Sequence, residues 1–394
     1  MSPMHKVGLY GFSADPITYG HIDIIKRSLS IFDKLHVCVF NNNSKKYILD
    51  FNKRIELVKN VLSPFKNIYV TGFSGLLVDY AYKHNIYFLV RGIRNITDLN
   101  YESDISFANL SQLKDIETIY LFAKPELTNI SSSMTKILES DMGDISGYVP
   151  LAVKSELEQI NEQQFRLVLT GSICSGKSTI AGKLFKALAV TKKYFHEIDL
   201  DKITDAIYAS KKEYYKKKLF KKLVNCFGND ILKTNGTVNK RTLSKKIFSD
   251  KSGRLIRELD GIMKEPLWYE LRKHLKNKQG LILISGAIIP EKNWLSIANN
   301  NVLFIDIHKK AQIKRLIKRD KIPQTKALLK ISYSSPSKQK LKNIRAIQQS
   351  DNYGKTIIFD NSSRLSETKL KKLADDIYNV FPAFKEMCKK KFRK

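Results

Sequence analysis

The 394-residue sequence has few cysteines and no long apolar run. Its four cysteines, Cys38, Cys174, Cys226 and Cys388, are far apart and none forms a C-x-x-C pair. This excludes a disulfide framework and a structural zinc site of the usual spacing, and favours a reducing compartment. The longest apolar stretch, residues 280–290, is too short to span a bilayer. No secretory signal is expected, because strand-like sequence begins within about six residues of the start. These absences predict a cytoplasmic protein.

Acidic residues are scarce in the second part of the chain. Residues 1–160 contain 17 basic and 17 acidic residues, so residues 161–394 carry the whole net charge of +31. This step predicts a domain boundary near residue 160. The excess has two interpretations, a nucleic-acid-binding surface or a lysine-rich solvated surface beside a site for polyanionic nucleotides. No recognisable nucleic-acid module accompanies the lysine runs, which favours the second interpretation.

Strand-like apolar runs alternate with amphipathic helical patterns in both parts of the chain, which predicts βαβ units and parallel sheets. We therefore expect an α/β protein of two doubly wound domains, residues 1–158 and 164–394, joined by a polar segment that is linker-like or helical. Ligands in such folds bind at the carboxyl ends of the strands. The predicted strands are 7–10, 35–40, 68–72, 87–90, 119–123, 166–170, 196–198, 281–285, 302–307 and 356–359.

A short motif with the sequence DPITYGH occupies residues 15–21, between the first predicted strand and an amphipathic segment. Thr18 is a suitable helix N-cap, and Gly20 allows a phosphate to approach the backbone closely. His21 would then face phosphates at the positive end of a helix, where anions bind well. A lone histidine is usually structural, but one that follows Thr-x-Gly at a strand–helix junction is less often so. Taken alone, this motif therefore supports a structural and a phosphate-binding role for His21 equally.

A second motif matches G-x-x-x-x-G-K-[ST] at every fixed position, between an apolar run at 165–170 and a helical run at 180–189. This context is the one that a Walker phosphate-binding loop requires. Its amides would cradle phosphates, Lys177 would reach the β- and γ-phosphates, and Ser178 would bind Mg²⁺. The loop predicts an ATP or GTP site but does not identify the acceptor. Its residues are Gly171, Ser172, Ile173, Cys174, Ser175, Gly176, Lys177, Ser178 and Thr179.

Polar and basic residues follow the other predicted strands of the first domain. Lys45 lies past the second strand, residues 91–94 (RGIR) follow the fourth, and residues 130–133 (ISSS) open a helix after the fifth. Since the carboxyl ends of parallel strands share one edge of a sheet, these residues can converge on one polyphosphate. In this order, residues 5–155 resemble bacterial phosphopantetheine adenylyltransferase, a nucleotidyltransferase family with a dinucleotide-binding-like, Rossmann-like fold.

The resemblance implies transfer of AMP from ATP to 4′-phosphopantetheine, which yields dephospho-coenzyme A and diphosphate. It places Ser13 and His21 at the α-phosphate, and Lys45 and Arg91 at the phosphate of phosphopantetheine. The residues implied at the phosphopantetheine site are Ser13, Lys45, Leu77, Arg91 and Asn109. The residues implied at the ATP site are Ser13, Ala14, His21, Gly92, Ile93, Arg94, Glu102, Leu127, Thr128, Asn129, Ile130, Ser131, Ser132 and Ser133.

Charged residues also follow the strands of the second domain. Asp201 lies just past the second strand of that domain, and Arg315 and Arg319 lie four apart on one face of a basic helix, as a phosphate-clamping lid requires. With the Walker loop, this set resembles dephospho-coenzyme A kinase over residues 165–378. The resemblance implies γ-phosphoryl transfer to the 3′-hydroxyl of dephospho-coenzyme A. Asp201 would be the base or hydroxyl-orienting group, Arg241 would contact the acceptor, and Arg315 and Arg319 would neutralise developing charge.

The sequence departs from both family patterns at several positions. Phe12 stands where the adenylyltransferases usually have glycine, which is expected to weaken ATP binding. Ser172 and Cys174 replace two glycines that are usual in the kinase loop, and Glu265 replaces a histidine before Pro266. ATP binding by the second domain is expected to survive these changes.

The two resemblances reinforce each other, because the product of the first reaction is the acceptor of the second. They imply a bifunctional enzyme of coenzyme A synthesis that uses ATP as substrate and Mg²⁺ as cofactor. The adenylyltransferase resemblance also implies a homo-oligomer, and neither a membrane nor a nucleic-acid partner is expected. One alternative is a nicotinamide-mononucleotide adenylyltransferase fused to a ribosylnicotinamide kinase, although residues 91–94 and 130–133 favour the pantetheine branch. Another is an active adenylyltransferase with a degenerate kinase module that binds RNA or acts as a scaffold.

Overall fold

The computed structural model describes residues 6–41, 45–250, 252–332 and 334–389, without the side chain of Phe248. The chain divides into two compact units, Met1–Leu157 and Glu158–Lys394. Each unit contains one five-stranded sheet in which every described strand pair is parallel. The prediction of two doubly wound α/β folds is therefore confirmed. The basic tail from residue 390 onward lies outside the described residues. No helix within those residues combines the length and apolarity needed to cross a membrane.

The strands of the first unit are β1 (Val7–Phe12), β2 (Lys34–Phe40), β3 (Ile68–Phe73), β4 (Phe88–Ile93) and β5 (Glu117–Phe122). They lie in the order β3-β2-β1-β4-β5. The strand order reverses at β1, so a crevice opens at the carboxyl ends of β1 and β4, where α/β proteins bind ligands. Alternate residues of a strand face opposite sides of the sheet. Accordingly Tyr10 and Val37 belong to one buried cluster, whereas Leu9 and Cys38 belong to the other.

The helices of the first unit are α1 (Tyr19–Ser28), α2 (Phe51–Leu62), α3 (Leu77–Lys83), α4 (Ile96–Gln112) and α5 (Ser132–Ser140), with a short 3₁₀ turn at Pro125–Leu127. Helix α6 (Leu151–Asn161) begins in the first unit and ends in the second. Thr18 is the N-cap of α1, as predicted, and the predicted helix start at residues 130–133 has Ser131 as the N-cap of α5. The polar segment near residue 160 is helical, because α6 extends to Asn161 and the next strand begins at Gln164.

The strands of the second unit are β6 (Gln164–Gly171), β7 (Phe195–Asp199), β8 (Gly280–Ser285), β9 (Val302–Asp306) and β10 (Thr356–Asp360). They lie in the order β10-β9-β6-β8-β7. Every residue of β6 and β8 is buried. Strands that are covered on both faces read as continuous apolar runs rather than as alternating patterns, which explains the apolar stretch at residues 281–284.

The α-helices of the second unit are α7 (Lys177–Ala187), α8 (Leu200–Tyr208), α9 (Lys221–Phe227), α10 (Lys240–Ser249), α11 (Arg254–Leu275), α12 (Lys309–Asp320), α13 (Gln324–Ser332), α14 (Ser337–Ser350), α15 (Glu367–Val380) and α16 (Pro382–Met387). A π-helix at Tyr215–Phe220 and 3₁₀ turns at Lys192–Tyr194, Asn229–Ile231 and Leu295–Ala298 complete this unit. Helices α8 to α11 form a long insertion between β7 and β8. Helices α12 to α14 lie between β9 and β10 in the sequence. They begin after β9, the strand that pairs with the loop-bearing strand β6.

Candidate functional site

A cavity of about 1210 Å³ opens in the first unit at the carboxyl ends of β1 and β4. Its lining brings together residues that come from five different elements of the sequence: Ser13, His21, Lys45, Arg91 and Ser131. Other predicted residues in the lining are Leu77, Gly92, Arg94, Glu102, Asn109, Leu127, Ile130, Ser132 and Ser133. Four predicted ATP-site residues lie outside that lining: Ala14, Ile93, Thr128 and Asn129. Tyr10, Tyr47 and Tyr101 also line the cavity, although no sequence motif singled them out.

His21 lies in the first turn of α1 and forms a reciprocal cap with Thr18. The Thr18 backbone N–H donates to His21 Nδ1 at 3.0 Å, while Thr18 Oγ1 accepts from the His21 N–H at 3.5 Å. Because Nδ1 accepts, this network assigns the ring proton to Nε2. Burial lowers the pKa of His21 to about 4, and the positive charges of Arg94 and Arg91 act in the same direction. The imidazole is therefore neutral near pH 7 and offers Nε2–H as a donor.

Arg91 is fixed at the end of β4 by a two-pronged ion pair. Its Nε and Nη2 atoms each donate to one carboxylate oxygen of Glu102 at 2.6 Å, and Nη1 donates to the Gly11 carbonyl at 2.7 Å. Burial alone would lower the pKa of Arg91, but the hydrogen bonds and charge of Glu102 raise it above its ordinary value. Paired N–H donors that meet a carboxylate in this way fix the plane of the guanidinium as well as its position. Glu102, which the family resemblance places at the ATP site, therefore forms the ion pair that orients Arg91 in the described structure.

Arg54 holds the backbone at the floor of the cavity by hydrogen bonds, a role that the sequence did not predict. Its Nη1 donates to the carbonyls of Ser13 at 2.6 Å and Phe40 at 2.8 Å, and Nη2 donates to Asn41 Oδ1 at 2.7 Å. The ring of Tyr47 lies 3.7 Å from the guanidinium carbon. The side chain is 1% exposed. A single arginine thus joins the carboxyl ends of β1 and β2 below the backbone of Ser13.

The turn after β1 is held by Asp15. Its carboxylate accepts from the backbone N–H groups of Ile48 and Leu49, at 3.2 and 3.0 Å, and pairs with Lys136 Nζ at 3.0 Å. The ring of Phe12, which replaces the usual glycine, lies 4.8 Å from the ring of His21. The phenylalanine therefore packs on the imidazole.

The Walker loop of the second unit runs from the end of β6 into α7. Gly171 has φ 144° and Gly176 has φ 91°. A Cβ at Gly171 would lie 2.2 Å from the Ile305 carbonyl oxygen, so only glycine fits there. Cys174 has φ 58°, also in the left-handed region. That conformation costs an L-residue other than glycine roughly 1–2 kcal/mol, which explains why glycine is usual at this position.

Side chains outside the loop hold its backbone carbonyls. Gln312 Nε2 on α12 donates to the Ile173 carbonyl at 3.0 Å. Asn361 Nδ2, just past β10, donates to the Ser175 carbonyl at 2.7 Å. Arg315 Nη2 in turn donates to the Asn361 carbonyl at 2.6 Å. Since its carbonyls are bonded from outside, the loop keeps a fixed shape around its phosphate-facing amides.

The two arginines predicted to form a lid differ in their surroundings, although α12 carries both. Arg315 contacts the loop and the segment after β10. Arg319 pairs with Asp320 at 2.7 Å and its side chain is 55% exposed. Arg241 is exposed in the first turn of α10. The structure thus brings Arg315, but not Arg241, into hydrogen-bond contact with the residues beside the loop.

Lys177 and Asp201 lie at the same edge of the second sheet. Lys177 Nζ donates to the carbonyls of Ser172 at 3.1 Å and Gly171 at 3.3 Å. Burial and, next, the ammonium of Lys340 together lower the pKa of Lys177 to about 8, although the carboxylate of Asp201 acts in the opposite direction. Burial likewise raises the pKa of Asp201. A carboxyl group with a raised pKa beside a phosphate-binding lysine can accept a proton from a hydroxyl group.

Comparison with known proteins links each unit to a nucleotide-using family. Residues 166–357 match the family model for dephospho-CoA kinase, and residues 9–137 match that for cytidylyltransferase-like proteins. A dephospho-CoA kinase structure from Campylobacter jejuni is 18% identical, with 55% of this chain and 97% of that chain covered and a TM-score of 0.30, a likeness too weak to support an argument.

The curated relatives are much more similar. Phosphopantetheine adenylyltransferase from Petrotoga mobilis is 42% identical over 150 residues, which are 38% of this chain and 93% of that protein. The protein of the same name from Geotalea daltonii is 41% identical over 153 residues, or 39% and 95% of the two chains. Because it covers these relatives almost completely at such identity, the chain belongs, through its first unit, to the phosphopantetheine adenylyltransferase family.

Proposed function

We propose that this chain catalyses the last two steps of coenzyme A synthesis. Residues 1–158 would transfer AMP from ATP to 4′-phosphopantetheine, and residues 164–394 would phosphorylate the resulting dephospho-coenzyme A with a second ATP. The observation that carries the proposal is the presence of both families in one chain, the adenylyltransferases over the first unit and dephospho-CoA kinase over residues 166–357. ATP is the shared substrate of the two reactions.

In the first reaction, an oxygen of the phosphopantetheine phosphate attacks the α-phosphorus of ATP and diphosphate leaves. No covalent intermediate with the protein is required, so catalysis depends on positioning and on stabilisation of charge. His21 would donate Nε2–H to an α-phosphate oxygen, which its neutral tautomer supports. Lys45 and Arg91 would bind the phosphate of phosphopantetheine, and the pairing of Arg91 with Glu102 would keep its remaining donors directed at that phosphate.

In the second reaction, the 3′-hydroxyl oxygen of dephospho-coenzyme A attacks the γ-phosphorus of ATP and ADP leaves. The loop amides and Lys177 would hold the phosphates. Asp201 would orient the hydroxyl group and accept its proton, a role that fits its raised pKa. Arg315 would act mainly by fixing the shape of the loop, because its guanidinium already donates to the Asn361 carbonyl.

Magnesium would be held in the second unit by oxygen atoms. The Ser178 hydroxyl at the start of α7 is a ligand of the hard type that Mg²⁺ prefers. Magnesium usually takes one or two protein carboxylates and completes its shell with water and phosphate oxygens. The described residues contain no cluster of three or more His, Cys, Asp or Glu side chains that could hold a metal ion. Bound Mg²⁺ would neutralise charge on the phosphates.

A second copy of the chain would cover α4 and β5. None of the residues of α4 is buried, although the helix is 17 residues long. Ile96 is 76% exposed, Phe107 68% and Phe122 62%. Exposed apolar surface of this kind marks an interface in a soluble protein. Phe107→Glu should shift the oligomer to smaller species in light scattering; an unchanged mass, or a monomeric wild type, would contradict the proposed interface.

The direct test is mass spectrometry of the products formed from 4′-phosphopantetheine and Mg-ATP. Wild type should yield coenzyme A, His21→Ala should yield neither product at a comparable rate, and Lys177→Ala should stop at dephospho-coenzyme A. Lys183→Ala, which changes an exposed lysine of α7, is the matched control and should behave as wild type. Failure of wild type to phosphorylate dephospho-coenzyme A would refute the kinase half. AMP transfer to nicotinamide mononucleotide in preference to phosphopantetheine would refute the acceptor of the first half.

A further inference from the structure

Lys340 is a buried lysine that neither predicted site includes. It lies in the first turn of α14, and its side chain is only 2% exposed. Buried lysines are almost always paired. Here Nζ donates to the Ala287 carbonyl and pairs with Glu291 Oε1 at 2.8 Å. An ammonium group has three donors, so these two contacts leave one N–H for a further acceptor.

Side chains of helix α14 contact both the Walker loop and the segment after β8. Ser337 Oγ, at the start of α14, lies 2.8 Å from Ser172 Oγ, and Lys177 Nζ donates to the carbonyl of the same Ser172. Residues three apart lie on one face of a helix, so Lys340 follows Ser337 on the face directed at the loop. Ala287 follows β8, which pairs with the loop-bearing strand β6. Lys340 therefore lies between the ATP-binding loop and the segment at the neighbouring strand end.

The charges of Lys340 and Lys177 reinforce each other as an anion site. Lys177 Nζ donates to the Ser172 carbonyl at 3.1 Å, and the hydroxyl of the same Ser172 lies 2.8 Å from Ser337 Oγ, three residues before Lys340. Two ammonium groups that repel each other in a poorly solvated site are stabilised when a polyanion lies between them. A nucleoside triphosphate on the loop supplies such an anion.

We propose that Lys340 is a second phosphate-binding lysine of the kinase unit, which contacts the phosphoryl group during transfer from ATP to the acceptor. This inference rests on the proposed kinase function. Ala287 and Glu291 orient the ammonium, and the third N–H donates to a non-bridging oxygen of the transferred group. The acceptor oxygen forms the new bond to phosphorus as the bond to ADP breaks, and the hydroxyl proton passes to Asp201. Lys340 itself neither gains nor loses a proton.

A purely structural role for the Lys340–Glu291 pair is the competing explanation. Apolar residues of similar volume often replace a buried ion pair without loss of stability, whereas removal of one partner leaves an uncompensated charge. The informative variant is therefore the double change Lys340→Met with Glu291→Leu, which removes the ammonium and its carboxylate together. The single change Glu291→Gln keeps the ammonium and removes only the carboxylate charge. Lys342→Met, on an exposed lysine of the same helix, is the matched control.

The experiment supplies each full-length variant with 4′-phosphopantetheine and Mg-ATP and follows dephospho-coenzyme A and coenzyme A separately. The double variant should make dephospho-coenzyme A at the wild-type rate, while kcat for its phosphorylation falls about 100-fold, the usual effect of removing one donor to developing charge. Glu291→Gln should lose much less activity, and Lys342→Met none.

Coenzyme A formation by the double variant at the wild-type rate would overturn the role of Lys340 while leaving the kinase function intact. Equal losses in Glu291→Gln and in the double variant would also overturn it, because the carboxylate would then matter as much as the ammonium. If the double variant folds poorly, Lys340→Arg and Lys340→Met, both with an intact Glu291, replace it: the arginine variant should keep more kinase activity than the methionine variant, and equal activity of the two would overturn the role of Lys340. A wild type that makes dephospho-coenzyme A but no coenzyme A would instead refute the kinase function itself.

Discussion

The Thr18 backbone N–H donates to Nδ1 of His21 at 3.0 Å, which makes Nε2 the proton-bearing nitrogen of the imidazole. Thr18 therefore controls the tautomer of His21 as well as the start of α1. Burial lowers the pKa of His21 to about 4, well below the ordinary value of roughly 6.5. The ring should stay neutral, with the same donor, at every pH above about 5.

This relationship predicts how adenylyl transfer depends on pH. The rate should show no His21-dependent inflection between about pH 5 and 8, because the neutral donor persists throughout that range. A folded-state pKa below the unfolded one means that the unfolded state binds the proton first as pH falls. The stability contributed by neutral His21 is therefore complete above about pH 6.5 and is lost between about pH 6.5 and 4. The pH–rate profile of wild type beside that of His21→Gln checks this; an inflection near pH 6.5 present only in wild type would contradict it.

Arg54 should be essential for the shape of the first cavity. Replacing it with methionine would leave the Ser13 and Phe40 carbonyls without their donor, at a cost of about 1–3 kcal/mol for each buried group left unpaired. Arg54→Met should therefore lower the midpoint of chemical denaturation and raise KM for ATP. Arg54→Lys should recover only part of the loss, because the donors of lysine lie on one nitrogen and cannot span the three acceptors as the planar guanidinium does. Lys59→Met, at an exposed position of the same helix, serves as control and should leave both quantities unchanged.

Cys174→Gly should stabilise the Walker loop. The native φ of 58° lies in the left-handed region, which glycine adopts without the steric cost that a Cβ imposes. The change should leave the free energy of unfolding equal or raise it by up to about 1 kcal/mol, since part of the gain is offset by the greater freedom of glycine in the unfolded chain. Cys174→Ala, which removes the thiol but keeps the Cβ, separates backbone strain from side-chain contacts. Equal or lower stability of the glycine variant relative to the alanine variant would refute the strain argument.

Asn361→Ala should weaken ATP binding by the kinase unit without a direct contact to ATP. Its Nδ2 holds the Ser175 carbonyl at 2.7 Å, and Arg315 is anchored on its backbone. Loss of one such hydrogen bond is worth about 1 kcal/mol, or several-fold in KM for ATP. Steady-state kinetics with dephospho-coenzyme A as acceptor measures this, and Asn225→Ala, at an exposed position of α9, should behave as wild type. A change in KM for the acceptor alone would indicate a different role.

Much of the fold could be predicted because parallel strands carry a strong local signal. All ten predicted strands occur as β1 to β10, and their order places both phosphate motifs at carboxyl ends of the sheets. The alternation of apolar runs and helical patterns fixes this arrangement before any tertiary contact is known. The cap formed by Thr18 was equally visible, because an N-cap residue acts on neighbours three residues away.

The buried charged residues beside the two sites, Arg54 and Lys340, could not be predicted from the sequence, for a physical reason. Arg54 lies on the buried face of α2 with Leu57 and Val58, where a sequence pattern reads a charged residue as part of the solvent-facing side. Lys340 resembles the many solvated lysines of the second unit, and only the positions of Ala287 and Glu291 reveal its burial. Both side chains are determined by contacts between residues far apart in sequence. A local sequence pattern carries no information about contacts between residues that are far apart in the sequence.

The stoichiometry of the complete reaction tests the central claim most directly. Purified full-length protein, given 4′-phosphopantetheine and Mg-ATP, should release one diphosphate and one ADP for every coenzyme A that it forms. Release of diphosphate with dephospho-coenzyme A as the end product, and no ADP beyond the background of the Lys177→Ala variant, would contradict the claim that one chain performs both steps.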